Sequence, residues 1–124
     1  MYSETYKIAE HNIRICSLYD EVHTLCKDYQ HNEYTDFTVE IKQQDIDFER
    51  RKSFDENIVH RYSDSYLETL AVYRKICEKL IEENIILFHG SAVAVDGTAY
   101  LFTAGSGAVS YTHLRAHETL ANLV

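Results

Sequence analysis

The sequence predicts an α+β fold, and three observations carry that prediction. Period-two alternation of apolar and polar residues marks the amino-terminal region and residues 37–42, helical periodicity fills residues 64–84, and two apolar runs flank Asp96-Gly97. With 124 residues, 45% of them apolar, the chain has room for one domain or part of one and enough apolar residues for a core.

Taken in order, Tyr6 and Ile8, then Ile13 and Ile15, alternate with polar neighbours on either side of Glu10-His11-Asn12. That pattern predicts two short strands around a turn. From Tyr19 to Tyr29 the period changes, with Val22, Leu25, Cys26 and Tyr29 at helical spacing. Asp20 and Glu21 at its start and Lys27 near its end suit a helix dipole. Phe37, Val39 and Ile41 alternate with Thr38, Glu40 and Lys42 and predict a strand buried on one face. Residues 44–52 read as a short helical turn, acidic then basic, and the polar segment 53–61 reads as a loop.

The clearest element is a helix over about residues 64–84. Ser65 and Glu68 have capping-box spacing at its start. Tyr66, Leu70, Tyr73, Cys77 and Leu80, widened by Leu67 and Ile81, predict its buried stripe, and Arg74, Lys75, Glu78, Lys79 and Glu82 its polar face. After it, residues 85–95 and 98–102 are apolar runs joined by Asp96-Gly97, a pair suited to a hairpin turn needing positive φ at both central positions. The second run leads into Thr103-Ala104-Gly105-Ser106-Gly107. A strand ending in small residues and glycines is how a phosphate-binding loop begins.

Charge and composition narrow the function classes. Twelve Lys and Arg stand against 20 Asp and Glu, a formal charge of -8. Nucleic acid and anionic membrane both require a basic footprint, so neither is the expected partner. The apolar run Ile85-Ile86-Leu87-Phe88 is too short to span a bilayer, and no basic start precedes an apolar core as in a signal peptide. Cys16, Cys26 and Cys77 are odd in number, widely spaced and without a CxxC pair, as expected of thiols in a reducing compartment. The expected location is the cytoplasm.

A phosphate loop cradles anionic oxygens with consecutive backbone N–H groups, adds a lysine for the outer phosphates, and uses a Ser or Thr hydroxyl on magnesium. Ala104, Gly105, Ser106 and Gly107 fit the first part of such a loop. The small residue, Gly, Lys and Ser/Thr expected next are replaced by Ala108, Val109, Ser110 and Tyr111. Phe88-His89-Gly90-Ser91-Ala92-Val93, the Asp96-Gly97 turn and Tyr100 through Gly107 together resemble the entry to the nucleotide-binding core of the HPr kinase and phosphoenolpyruvate carboxykinase-like superfamily. The preceding Tyr73-Arg74-Lys75-Ile76 resembles a bacterial serine kinase-like branch of it. The resemblance covers about residues 62–107 and ends where the γ-phosphate and magnesium ligands belong. It implies the start of an α/β P-loop core, an ATP-dependent kinase as the parent, ATP and Mg2+ as its cofactors, and a serine hydroxyl on a protein or small molecule as phosphoacceptor. It also implies a metal-ligand role for His89.

Residues 109–119 are similar to the in-frame translation of a transposase sequencing adapter, and Ala108 and residues 120–124 fit the bases on either side. The expected organisation is therefore an α+β segment over 1–61, helix plus hairpin leading to an incomplete phosphate loop over 62–107, and an adapter-encoded tail over 108–124. That origin removes the metal-site reading of His113, His117 and Glu118, whose spacing would otherwise place two imidazoles on one helical face. The chain itself is expected to be inactive. A second class of reading is a non-catalytic, acidic α+β binding module of a biosynthetic or regulatory assembly.

Among the remaining polar residues, His11, His23, His31 and His60 share no spacing and read as solvated surface positions. Glu33, Asp36, Asp45, Asp47 and Glu49 lie among Lys and Arg and read as a solvated face. No residue is assigned a catalytic role. Chromosomal DNA sequenced across codon 108 is expected to depart from Val109-Ser110-Tyr111-Thr112-His113; an uninterrupted genomic reading of those codons would refute the adapter origin.

Overall fold

A computed structural model of the chain describes residues 1–55, 62–88 and 90–103, with side chains described outside 53–55. The described residues form a mixed α+β fold with three α-helices and two sheets. The chain forms two compact units, one over Met1–Ile86 and a second beginning at Leu87.

In the first unit, β1 (Tyr2–Ile8) and β2 (His11–Ser17) form an antiparallel hairpin in the register Tyr6↔Ile13 and Ile8↔His11. The turn is Ala9-Glu10, with φ of 50° and 63°, rather than the Glu10–Asn12 stretch the alternation suggests. The register explains the shift. Pairing Tyr6 with Ile13 puts both on the buried face, and this leaves two residues to turn, each in the left-handed region that hairpin twist favours. Helix α1 (Glu21–Cys26) and a 3-10 turn (Lys27–Tyr29) follow. They lie within the crossover to β3 (Phe37–Glu40), which pairs parallel to β2 and completes the order β1-β2-β3.

Helix α2 (Gln43–Asp55) extends further than its charge pattern suggests and includes residues 53–55, expected to be loop. Asp45 explains its start: its carboxylate accepts the Lys42 backbone N–H at 2.8 Å while its own N–H bonds the Lys42 carbonyl. Helix α3 (Asp64–Glu82) is capped by Ser63, whose hydroxyl accepts the Tyr66 N–H at 3.2 Å, and not by Ser65. At its other end Asn84 takes φ of 60°. The Asn84 and Ile85 N–H groups return to the Ile81 and Leu80 carbonyls, a Schellman motif whose apolar contact is Ile85 against the core.

The core sits on one face of the three-stranded sheet. Tyr6, Ile13, Ile15 and Val39 point into it, and Val22, Ile41, Ile46, Leu67, Ala71, Val72, Ile76 and Leu80 close over them. Of the stripe expected on α3, Leu67 and Leu80 are buried and Leu70 packs partly buried against the core, while Glu68, Ala71, Val72 and Ile76 are buried in addition. Tyr66, Tyr73 and Ile81 are exposed. Ala71 lets the helix approach the sheet, whereas tyrosines there would bury a hydroxyl in need of a partner. Exposed Tyr66 instead places its ring 4.8 Å from that of the partly buried Tyr62.

In the second unit, β4 (Ser91–Val95) and β5 (Thr98–Phe102) pair antiparallel, Val95 facing Thr98. Asp96 and Gly97, with φ of 50° and 77°, make the expected turn. The Ile85–Phe88 stretch, expected to lengthen the first strand, is not strand. No described helix is long and apolar enough to cross a membrane.

The buried face of α3 also includes Glu68, whose side chain is fully buried. Its two oxygens accept the Leu18 N–H at 2.7 Å and the Tyr19 N–H at 3.0 Å, tying α3 to the exit of β2. Glu68→Ala is expected to lower stability by about 2–4 kcal/mol, since two buried amides lose their acceptor. Glu68→Gln, which keeps one acceptor oxygen, should cost about half as much in chemical denaturation; equal stability of all three proteins would refute the clamp.

Candidate functional site

The nucleotide-site reading concentrates on the second unit. Its hairpin carries β5 to Phe102 and then Thr103, the residue before Ala104-Gly105-Ser106-Gly107. These four residues, His89, and the tail with His113 and His117 lie outside the described residues. At the base of the hairpin, Gly90 meets a close approach of backbone. A Cβ there would lie 2.5 Å from the Phe102 carbonyl oxygen and 2.6 Å from a Phe88 ring carbon. The residue after His89 is thus held against the end of β5 by a contact only glycine permits.

The first unit brings together polar residues that the sequence reading left apart. His23, expected at the surface, is buried. Its Nδ1 lies 2.6 Å from the Tyr6 hydroxyl and its Nε2 lies 2.8 Å from the Ser17 hydroxyl. Ser17 in turn donates to the Tyr19 carbonyl at 2.6 Å. Since a serine hydroxyl has one proton, that bond fixes the direction of the others. His23 donates from Nε2–H to Ser17, and Nδ1 accepts from the Tyr6 O–H. Burial pushes the His23 imidazole below its usual range, against the opposing pull of Asp20, Glu4 and Glu68. Burial also pushes the Tyr6 phenol up to about 12, with Cys26, Glu4 and Asp20 adding to the shift, so it remains a donor.

This chain of Tyr, His and Ser is not a nucleophile with its base. The Ser17 proton is given to a carbonyl rather than to the imidazole, and the hydroxyl is fully buried. Burial raises the Cys26 thiol, and burial with the nearby Glu78 raises Cys77, which disfavours the thiolate at both. One signal for the buried cluster was present in the sequence. Ser17 continues the Ile13, Ile15 alternation, which puts it on the core face.

Ion pairs join α2 to α3. Glu49, expected on a solvated face, is buried and accepts from Arg74 Nε at 2.6 Å. Arg74 also reaches Glu78 at 3.3 Å and lies 4.6 Å over the Phe48 ring. Lys75 bonds Asp45 and the Glu40 carbonyl, each at 2.9 Å. Burial alone pushes the Asp45 carboxyl up, but the Lys42 N–H, Lys75 and Arg74 hold it below its usual range. The sequence reading missed these pairings because each joins residues 25 to 35 positions apart. Nearer the surface, His11 bonds the Ala9 carbonyl and approaches Glu83 at 4.0 Å, and His31 pairs with Glu33 at 3.2 Å. His60 lies outside the described residues.

A groove of about 320 Å³ runs between β3 and α3, with Thr38 to Glu40 on one side and Lys75, Glu78, Lys79 and Glu82 on the other. Its lysines are engaged, Lys75 as above and Lys79 with Glu82 at 3.8 Å. Among the described residues, no group of three or more His, Cys, Asp or Glu is placed to hold a metal ion. In comparison with known proteins, no family model matches the sequence, and no curated protein or solved structure is significantly similar to it.

The close approach at Gly90 makes a direct prediction. Gly90→Ala should destabilise the β4–β5 pairing by about 1–3 kcal/mol through overpacking. Loss of the cross-strand Val93–Tyr100 contact in nuclear Overhauser spectra would register the effect, and an unchanged hairpin would contradict it.

Proposed function

We propose that the chain is the amino-terminal part of an ATP-dependent phosphotransferase of the HPr kinase and carboxykinase type, and that it does not itself transfer phosphate. The observation that carries this reading is the hairpin: β5 follows the Asp96-Gly97 turn and stops one residue before the small-residue segment Ala104-Gly105-Ser106-Gly107. A strand that delivers glycines at its carboxyl end sets backbone N–H groups where a polyphosphate can be bound. Gly90 supports the same reading, because it packs directly against the end of β5.

The donor set for MgATP is incomplete on this chain. Ser110 and Tyr111 stand where the resemblance places the lysine and the magnesium-binding hydroxyl, so the residues present do not fit the cofactor and no catalytic step is assigned to them. In the parent, positioning and charge neutralisation would do most of the work, as in phosphoryl transfer generally. The acceptor class is a serine hydroxyl on a protein or small molecule.

Calorimetric titration of MgATP tests both halves of the proposal. The 124-residue chain should show no magnesium-dependent binding at micromolar concentrations, and the chain prolonged from codon 108 by its chromosomal continuation should bind. Tight binding by the short chain would refute its inactivity. Failure of the prolonged chain to bind would overturn the kinase reading in favour of a binding module.

A further inference from the structure

We propose that His23 is a pH-sensitive latch, and that its protonation releases β1 from α1 in the Met1–Ile86 unit. The geometry is a one-way chain of hydrogen bonds: Tyr6 O–H to Nδ1, Nε2–H to Ser17 Oγ, Ser17 O–H to the Tyr19 carbonyl. Each link uses its donor once. An imidazolium carries N–H on both nitrogens, so a proton taken from solvent onto Nδ1 removes the acceptor of the Tyr6 hydroxyl. The Nδ1–H then points at the Tyr6 oxygen, so the hydroxyl can only accept at the 2.6 Å contact and its own proton must turn to another acceptor. Tyr6 is 1% exposed and has no route to water without leaving the core.

The site is poised rather than locked. Tyr2 lies with its ring 6.2 Å from His23, and burial under the β1 residues disfavours charge. Acting oppositely are three carboxylates from three directions: Glu4 on β1, Asp20 ahead of α1 and Glu68 on α3. Cys26 faces the Tyr6 side of the cluster. The folded unit thus binds the proton more weakly than the unfolded chain, yet is not sealed against it. By linkage, the stability His23 supplies is fully present above its unfolded value of about 6.5 and is lost as pH falls through the lower folded value.

The strand that gives way is β1, which lies at the sheet edge and holds Tyr6. Its amides should therefore report the event. From pH 6.5 downward, the opening equilibrium of β1 measured by hydrogen exchange, corrected for intrinsic rates, should rise about tenfold per pH unit until the folded-state value is reached. His23→Gln offers an uncharged donor and acceptor in the same place, and should abolish that rise. His11→Gln and His31→Gln should preserve it.

A second measurement keeps the proposal falsifiable if His23→Gln fails to fold. In the wild-type chain, nitrogen-15 shifts of His23 above the transition should show Nε2–H with Nδ1 unprotonated. In Tyr6→Phe, the His23 titration should move to higher pH, because the neutral ring no longer has a donor to lose. An Nδ1–H tautomer, an unmoved titration in Tyr6→Phe, or an equal pH response of β1 in His23→Gln would each overturn the latch.

Discussion

A buried carboxylate organises the first unit. Glu68 is fully buried, and its oxygens take the backbone N–H groups of Leu18 and Tyr19. Those two amides lie where the chain leaves β2 and before α1 begins, a point at which no ladder or helix partner is available to them. A residue 50 positions later thus accepts from two backbone amides of the β2–α1 connection. The cost of burying the charge is offset by charge-assisted hydrogen bonds. Once Glu68 faces inward, the face of α3 is settled: Leu67, Ala71, Val72 and Ile76 must follow it into the core.

The remaining polar contacts fasten the other elements to that frame. His23 and Ser17 hold α1 against the first two strands, Arg74 and Glu49 join α2 to α3, and Lys75 ties α3 to Asp45 and to the end of β3. Their geometry is that of structural ties rather than chemistry. Ser17, beside His23, gives its proton to a carbonyl.

Local signals were legible in the sequence and long-range ones were not. Alternation placed the first three strands, because period two needs only neighbours to be read, and Asp96-Gly97 located its hairpin because few residue pairs tolerate two positive φ values. The length of α3 was legible for the same reason. Its face was not. Tyr66 and Tyr73 score as apolar yet keep their hydroxyls near water, while Glu68 scores as polar yet has buried partners outside its own helix. The same blindness applied to His23 and Glu49, whose partners come from other elements. Of the candidate site, the approach to the loop was legible through Gly90 and the hairpin; His89 and Ala104 to Gly107 are outside the described residues.

The central claim is that the Glu68 clamp is part of the globally cooperative structure of the first unit, not a local surface contact. Native-state hydrogen exchange at the Leu18 and Tyr19 amides measures this directly. The account predicts that both exchange only with the free energy and denaturant dependence of the Ile13 and Ile15 amides in the core strand. Fast exchange at Leu18 and Tyr19 while Ile13 and Ile15 stay protected would show that the clamp opens alone, and would contradict it.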